Sequence, residues 1–396
     1  MKCEVAIIGG GPAGSTAGNL LAQRGIDAVI IEQGIFPRFH IGESLLPCDM
    51  PLFDRLGVHL DKAAYMPKQG ADFIDERRQE QVTYLFKDGL SGCIPYAWQV
   101  ERAEFDHALL RKAEQVGAKV FEDECVQSVA FADACVSLVT SRRTIQARYV
   151  IDASGQDAFF ARRAKVVEPI KGFGRAAVFC HFYDLSDQVY QELAATGNIR
   201  VLIIEDGWIW IIPLTARRVS VGVVSRSKGL ATSLLDGAIQ RSPFLQRITA
   251  GARRTQNKII RNFSYMNKQP SGPRFACVGD AACFLDPVFS SGVSLAMLGA
   301  ERLADTLVDA LHNHRETDPH LLDTHTDHMA HAYRSFSALI HSFYHTSMVP
   351  NLFFAADPDP EMRAGLITML AGDLWRQDNR FQSMLQQSTR RSAPLT

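Results

Sequence analysis

None of the eight cysteines in this 396-residue sequence is paired as C-x-x-C or spaced regularly, so nothing points to a disulfide framework or a cysteine metal site. A secretory leader and any apolar run long enough to span a bilayer are also missing. The expectation is a cytoplasmic protein with free thiols and no membrane segment. Neither sign of charge dominates, because 42 Lys and Arg face 43 Asp and Glu for a net charge of −1. That balance offers no footprint for nucleic acid or an anionic membrane surface. Small basic pairs such as Arg162–Arg163, Arg217–Arg218 and Arg253–Arg254 read as solvated faces. There is no internal repeat and no low-complexity tract. What remains is an ordinary globular chain, long enough for two or three domains or for one large domain with a subdomain.

The stretch Cys3–Glu32 organises the rest. Val5 to Ile8 is a short continuous apolar run, as a parallel strand buried on both faces requires. Gly9, Gly11 and Gly14 then spell G-x-G-x-x-G, with Pro12 and Ala13 inside the turn counted among the cofactor contacts. Gly9 permits the turn, Gly11 lets the backbone approach a pyrophosphate, and Gly14 lets the following helix pack against the strand. The N-terminus of that helix points its unpaired N–H groups at the pyrophosphate. Glu32, eighteen residues past Gly14, sits where a carboxylate accepts hydrogen bonds from ribose hydroxyls. Strand, turn, helix and acid together predict dinucleotide binding.

Further along, a helix is expected over EFDHALLRKAEQVG, and a strand ends at Asp152. Between Gly172 and Arg226 the segments AAVFCHFY, GWIWIIPL and RVSVGVVSR are rich in β-branched and aromatic residues and predict antiparallel strands of a separate sheet. Parallel-sheet pieces recur near Asp152 and Gly279, on either side of that sheet. The predicted fold is therefore α/β: a discontinuous Rossmann-like FAD-binding domain (1–75, 98–165 and 270–312), an inserted antiparallel-sheet substrate domain (76–97 and 166–269) and a C-terminal helical cap (313–396). Val278–Gly279–Asp280 is expected to end a buried strand and open a helix, so that Asp280 meets a ribityl hydroxyl. Arg102, just before the predicted helix, is a natural partner for cofactor phosphates.

These segments resemble the flavoproteins that include aromatic hydroxylases, geranylgeranyl-type reductases and flavin-dependent halogenases. The match is nearest to the halogenases. It rests on FPRFHIGESLLP (36–47), PKQGA (67–71), VERAEFD (100–106), DASG (152–155), GWIWIIP (207–213) and GDAACFLDPVFSSGV (279–293). The C-terminal MLAGDLW (369–375) looks like the cap of carrier-protein-dependent pyrrole halogenases.

Two motifs are more specific than the fold. W-x-W-x-I-P is complete from Trp208 and Trp210 to Pro213, and F-x-x-P-x-x-S-x-G is complete as Phe284, Pro287, Ser290 and Gly292. The resemblance implies that the tryptophans keep the enzyme from acting as a monooxygenase, and that the second motif borders halide and flavin. A proline-shaped loop leading through Ser290, Ser291 and Gly292 into a helix would present N–H donors to chloride or bromide. The bland reading of the tryptophans is sheet core.

The resemblance also implies a reaction. Reduced FAD forms a flavin hydroperoxide with O2, halide takes its terminal oxygen as hypohalous acid, and one lysine delivers the halogen to an aromatic ring. PKQGA places that lysine at Lys68. A desolvated ammonium can hold hypohalous acid, and a neutral amine can form a haloamine. No residue matches by motif the glutamate used by tryptophan halogenases, which implies an already activated ring such as a phenol or pyrrole, free or carried by an acyl or peptidyl carrier protein. Without a second G-x-G-x-x-G, a separate flavin reductase is expected to supply reduced FAD.

The alternatives at this point are a flavin monooxygenase acting on a small aromatic or on a tryptophan of a partner protein, an isoprenoid double-bond reductase, and a non-enzymatic flavin-binding module. Eight histidines cluster between His312 and His345, but no acid or cysteine set completes a site, and no metal is expected. Ser44 with nearby His40 lacks a nucleophile elbow and is not read as a hydrolase.

Overall fold

The computed structural model describes residues 1–173, 175–226, 233–261, 264–346 and 348–392. Positions 227–232 of the expected substrate domain and 393–396 of the expected cap lie outside the described residues.

Strand β1 (Val5–Ile8), helix α1 (Pro12–Gln23) and strand β2 (Ala28–Ile31) form the predicted unit. They belong to a six-stranded sheet in the order 271–272, 275–277, 149–152, β1, β2, 119–121. Its pairs are parallel except at the 271–272 edge. Because side chains alternate along a strand, Val5 and Ile7 join the core formed with α1 and the helices Arg102–Gln115 and Gly292–His312. Ala6 and Ile8 join the opposite core, under a three-stranded meander over 126–147. Covered on both faces, the strand can be apolar throughout.

The second sheet has eight strands, centred on Gly207–Leu214 between Ile199–Ile204 and Arg218–Ser225. Its period of two sorts the motif. Trp208, Trp210 and Ile212 face the cofactor side, whereas Ile209 and Ile211 face helices on the far side. The sheet is not wholly antiparallel, because Ile199–Ile204 pairs in parallel with Gly70–Asp75. That pairing also moves an expected boundary. The strand Gly70–Asp75, placed by the sequence reading in the cofactor domain, is hydrogen-bonded into the large sheet.

The expected helix at Asp280 does not form there. The strand Phe275–Cys277 leads into a single 3-10 turn, Gly279–Ala281, and the chain then extends as Cys283–Phe284, which pairs with Tyr265–Met266. The long helix begins only at Gly292. At the other end of the protein, helices Asp323–His345, Pro360–Leu370 and Arg380–Ser392 form the cap. It is anchored by Phe353, whose ring lies 4.4 Å from that of Phe73 and whose carbonyl accepts the Tyr84 hydroxyl at 3.0 Å. Among the described residues, no helix is long and apolar enough to cross a membrane.

Candidate active site

A cavity of about 900 Å³ runs from the glycine turn to the tryptophan strand. At its first end the glycines divide by what surrounds them. A Cβ on Gly14 would lie 1.9 Å from Gly9 O, and one on Gly9, at φ +102°, would lie 2.4 Å from Ala153 O. A Cβ on Gly11 would meet only Arg38 Nη2, at 3.7 Å. Gly9 and Gly14 are thus demanded by the fold, while the open space at Gly11 is a cradle for something outside the chain.

Glu32 is 4% exposed, and its two oxygens accept the amides of Gly10 (2.7 Å) and Gly34 (2.8 Å). The carboxylate therefore holds the turn from behind and lines the cavity, with Arg38 Nε 3.6 Å from its Oε1. Arg102 is the first residue of its helix, and most of its guanidinium is engaged within the chain. It grips Asp106 through Nε (2.6 Å) and Nη2 (2.9 Å) and donates to Ile41 O (2.7 Å). Arg38, which the motif reading passed over, lies beside Gly11; its buried Nη1 is 3.7 Å from Asp106 Oδ2, an ion pair without a hydrogen bond. It is the freer candidate for a phosphate, and only its position in FPRFH could have flagged it.

Asp280 lines the floor next to Val278 and Gly279. Desolvation pushes its carboxyl up to about 7, against the opposing pull of the Arg102 charge. Gly279 has φ +60°, and a Cβ there would sit 3.0 Å from Ala296 Cβ.

Phe284, Pro287, Ser290, Ser291 and Gly292 all line the far half of the cavity with Trp208 and Trp210. The Ser290 amide is taken by Pro287 O at 2.9 Å, and the residue turns left-handed at φ +59°. Of the three residues expected to offer N–H donors, Ser291 and Gly292 are therefore the ones at the helix start, where first-turn amides have no intrahelical acceptor. Trp210 Nε1 donates to Ser220 Oγ at 3.1 Å, and Trp208 Nε1 to the Tyr344 hydroxyl at 2.7 Å. Opposite Trp210 in the ladder is Gly222, where a Cβ would fall 2.2 Å from the indole.

Lys68 lies outside this cavity. It closes the strand Met66–Lys68 and points into a separate space of about 20 Å³ shared with Phe73, Phe86, Phe289 and Leu370. Ser290 and Ile199 line both spaces and form the partition. The Lys68 ammonium is 1% exposed and donates to Ser44 Oγ and Leu45 O, each at 2.9 Å. Burial draws its pKa down to about 7, and the charge of Asp49 only partly restores it. Asp49 itself is tied to Leu46 N (3.1 Å) and Ser294 Oγ (2.8 Å). Ser44, considered above only as a nucleophile, is thus a lysine ligand. His40 is turned to Ile41 O at 2.7 Å, and burial lowers its pKa to about 4. The cap histidines are used in packing: His328 stacks on Trp375 at 4.5 Å, and His331 Nε2 lies 3.0 Å from Leu374 O. Among the described residues, no three His, Cys, Asp or Glu side chains converge as metal ligands.

A parallel-sheet nucleotide fold with a glycine cradle, joined to a large sheet across a long cavity, defines a flavin-dependent oxidoreductase. The tryptophan halogenase profile matches residues 4–90 and 86–384. The chain belongs to the tryptophan halogenase family and is an FAD-dependent halogenase by class. A 1H-pyrrole-2-carbonyl peptidyl-carrier-protein chlorinase of Pseudomonas fluorescens is 29% identical over 94% of this chain and 89% of its own length. A flavin-dependent halogenase of Armillaria mellea is 30% identical over 90% of this chain and 74% of its own. Among solved structures, the flavin-dependent brominase Bmp2 superposes with a TM-score of 0.86 at 25% identity, covering 99% of each chain. A flavoprotein/dehydrogenase of Cytophaga hutchinsonii superposes with 0.88 at 26% identity, covering 99% of this chain and all of the other.

Proposed function

We propose that this protein halogenates an electron-rich aromatic ring, a phenol or pyrrole, with chloride or bromide taken up beside the loop from Phe284 to Gly292 and the halogen held at Lys68. The observation that carries the reading is Lys68 itself. It is a buried amine whose hydrogen-bond partners are neutral oxygens, and the 284–292 segment reaches its chamber through Val288, Phe289 and Ser290, the last of which also lines the main cavity.

The glycine cradle, Glu32, Arg38 and Asp280 would hold FAD, with Arg102 bracing the loop at Ile41 and Gly42. Bound and reduced, FAD would supply two electrons to activate O2, and the activated oxygen would oxidise halide to hypohalous acid. The chain's own residues do the rest. The amides at Ser291 and Gly292 would bind the halide, with the Phe284 ring shaping that end of the cavity. Trp208 and Trp210 wall off the space where an aromatic could otherwise approach the cofactor. Lys68 would receive the oxidised halogen as a hydrogen-bond donor or, near its lowered pKa, as a free amine. Fixing the halogen at one nitrogen makes a diffusible oxidant regioselective.

The activity of the pyrrole-carbonyl chlorinase on a carrier-bound substrate supports a carrier-tethered ring as the candidate here. A separate reductase is proposed as the source of reduced FAD, and the division into cofactor domain, substrate sheet and cap is proposed as the working architecture. Purified protein with reduced FAD, oxygen and bromide should consume monochlorodimedone in a halide-dependent manner, and Phe284→Ala should abolish that consumption. Flavin oxidation that ignores halide would overturn this reading in favour of a monooxygenase.

A further inference from the structure

The two sequence motifs are joined by a third residue that belongs to neither. Trp208 Nε1 donates to the Tyr344 hydroxyl at 2.7 Å, and that hydroxyl lies 3.0 Å from Asp286 Oδ2. Hydrogen polarity fixes the direction of this chain. An indole N–H can only donate, so the tyrosine oxygen accepts from it and its own proton is left for Asp286.

Asp286 is fully buried and has a second duty. Its Oδ1 accepts the Val288 amide at 3.1 Å and so caps the turn Pro287–Phe289. That turn feeds into Ser290 and the helix start at Ser291 and Gly292. Arg175 completes the group. Its Nε lies 3.8 Å from Asp286 Oδ2 and its guanidinium carbon 3.3 Å over the Tyr344 ring. A buried carboxylate beside an anion-binding loop would repel the anion, and this guanidinium offsets it. The four residues come from four elements: the motif strand, the cap helix Asp323–His345, the halide loop and the strand start at 175–176.

We infer that Tyr344 is a positioning residue for the halide loop: its hydroxyl, held by Trp208, locks the Asp286 cap, so that the cap helix holds the loop in its halide-binding shape through this one hydroxyl. This rests on the reading of the 284–292 loop as the halide site. Tyr344→Phe removes one oxygen and keeps the ring under Arg175. It leaves the Trp208 N–H and Asp286 Oδ2 without their shared partner, and it should raise the bromide KM about tenfold or more, the factor set by losing a hydrogen bond to a carboxylate, with kcat changed much less.

Tyr84→Phe is the control, since the Tyr84 hydroxyl also fastens the cap, through Phe353 O at 3.0 Å and Leu352 O at 3.4 Å, both outside the loop. It should leave the bromide KM unchanged. FAD titration by flavin fluorescence should give similar affinities for both variants and the parent. If Tyr344→Phe leaves the bromide KM unchanged, or if Tyr84→Phe raises it equally, the inference is wrong. If the parent protein shows no halide dependence, the function reading fails instead, which separates the two. A measurement without any variant of Tyr344 guards against misfolding. Chloride, which does not quench indole by contact, should produce a saturable change in the tryptophan emission of the parent protein, provided that protein consumes monochlorodimedone with chloride, and the change should be lost in Trp208→Phe; in a parent active with chloride, an emission indifferent to it overturns the inference.

Discussion

The ammonium of Lys68 and the hydroxyl of Ser44 are 2.9 Å apart inside a wall of aromatic and aliphatic side chains, with the Leu45 carbonyl completing the site. Among the described residues, no carboxylate hydrogen-bonds the lysine. Its nearest anion, Asp49, is spent on the Leu46 amide and Ser294. The amine is therefore held in place without being fully paired, which is the condition under which it can give up a proton near neutrality.

The stability of the protein should register that burial. The folded pKa of Lys68, about 7, lies below the unfolded value of 10.5, so the unfolded chain binds more protons between those limits. Stability contributed through this group rises with pH from about 7 to 10.5, and the full cost of the buried charge is present below 7. Lys68→Met should accordingly stabilise the protein at pH 6, by on the order of a few kcal/mol less its two lost hydrogen bonds, and so raise the thermal midpoint, and the advantage should shrink to a small remainder by pH 10. An equal gain at pH 6 and 10 would show that the lysine is not desolvated.

The same substitution should separate oxidant formation from delivery. Lys68→Met is expected to consume monochlorodimedone at close to the parent rate while halogenation of a phenol or pyrrole substrate falls about a hundredfold, the scale of lost positioning. Equal loss of both activities would remove Lys68 from the delivery role.

The glycine turn yields a paired prediction. Gly14→Ala drives a methyl to 1.9 Å from Gly9 O and should cost about 3 kcal/mol or more. Gly11→Ala has room in the protein, since its nearest neighbour is 3.7 Å away. It should melt within a degree or two of the parent yet bind FAD about tenfold more weakly or worse, roughly 1.4 kcal/mol. Differential scanning fluorimetry and flavin titration read the two effects separately, and normal FAD affinity in Gly11→Ala would refute the cradle.

Asp280 has the opposite linkage to Lys68. Its folded pKa, about 7, lies above the usual 3.8, so the folded state binds more protons between those values and stability through this group falls as pH rises across the window. Asp280→Asn should raise the melting point of FAD-free protein at pH 8 but not at pH 4. With FAD present the sign should reverse, because the variant loses the carboxylate proposed to accept a ribityl hydroxyl. A melting point independent of the substitution in both states would remove Asp280 from the site.

Local pattern carried much of this protein. The unit from Val5 to Glu32 was readable because its strand, turn and helix are adjacent in sequence. Trp208 and Trp210 are two apart in a strand-forming run, which is enough to set them on one face. Resemblance supplied Lys68, which its own neighbours Pro67 and Gln69 do not distinguish from a surface lysine. The helix expected at Asp280 failed because Cys283 and Phe284 find a strand partner in Tyr265 and Met266, a pairing that no window around Gly279 reveals. Arg102 was drawn to phosphate by its charge, while the structure commits most of its guanidinium to Asp106 one turn along its own helix.

The sequence by itself determined the glycine turn, the alternation that aims the tryptophans and the order Phe284, Pro287, Ser290, Gly292 of the loop, since each depends on residues within a few positions of one another. Only the tertiary structure decided that Lys68 is desolvated beside Ser44, that Arg38 rather than Arg102 is the freer cation at Gly11, and that Tyr344 bridges Trp208 to Asp286. Burial and hydrogen-bond satisfaction are properties of surroundings, and these surroundings are assembled from segments far apart in the chain, with 136 residues between Trp208 and Tyr344 and 245 between Asp49 and Ser294.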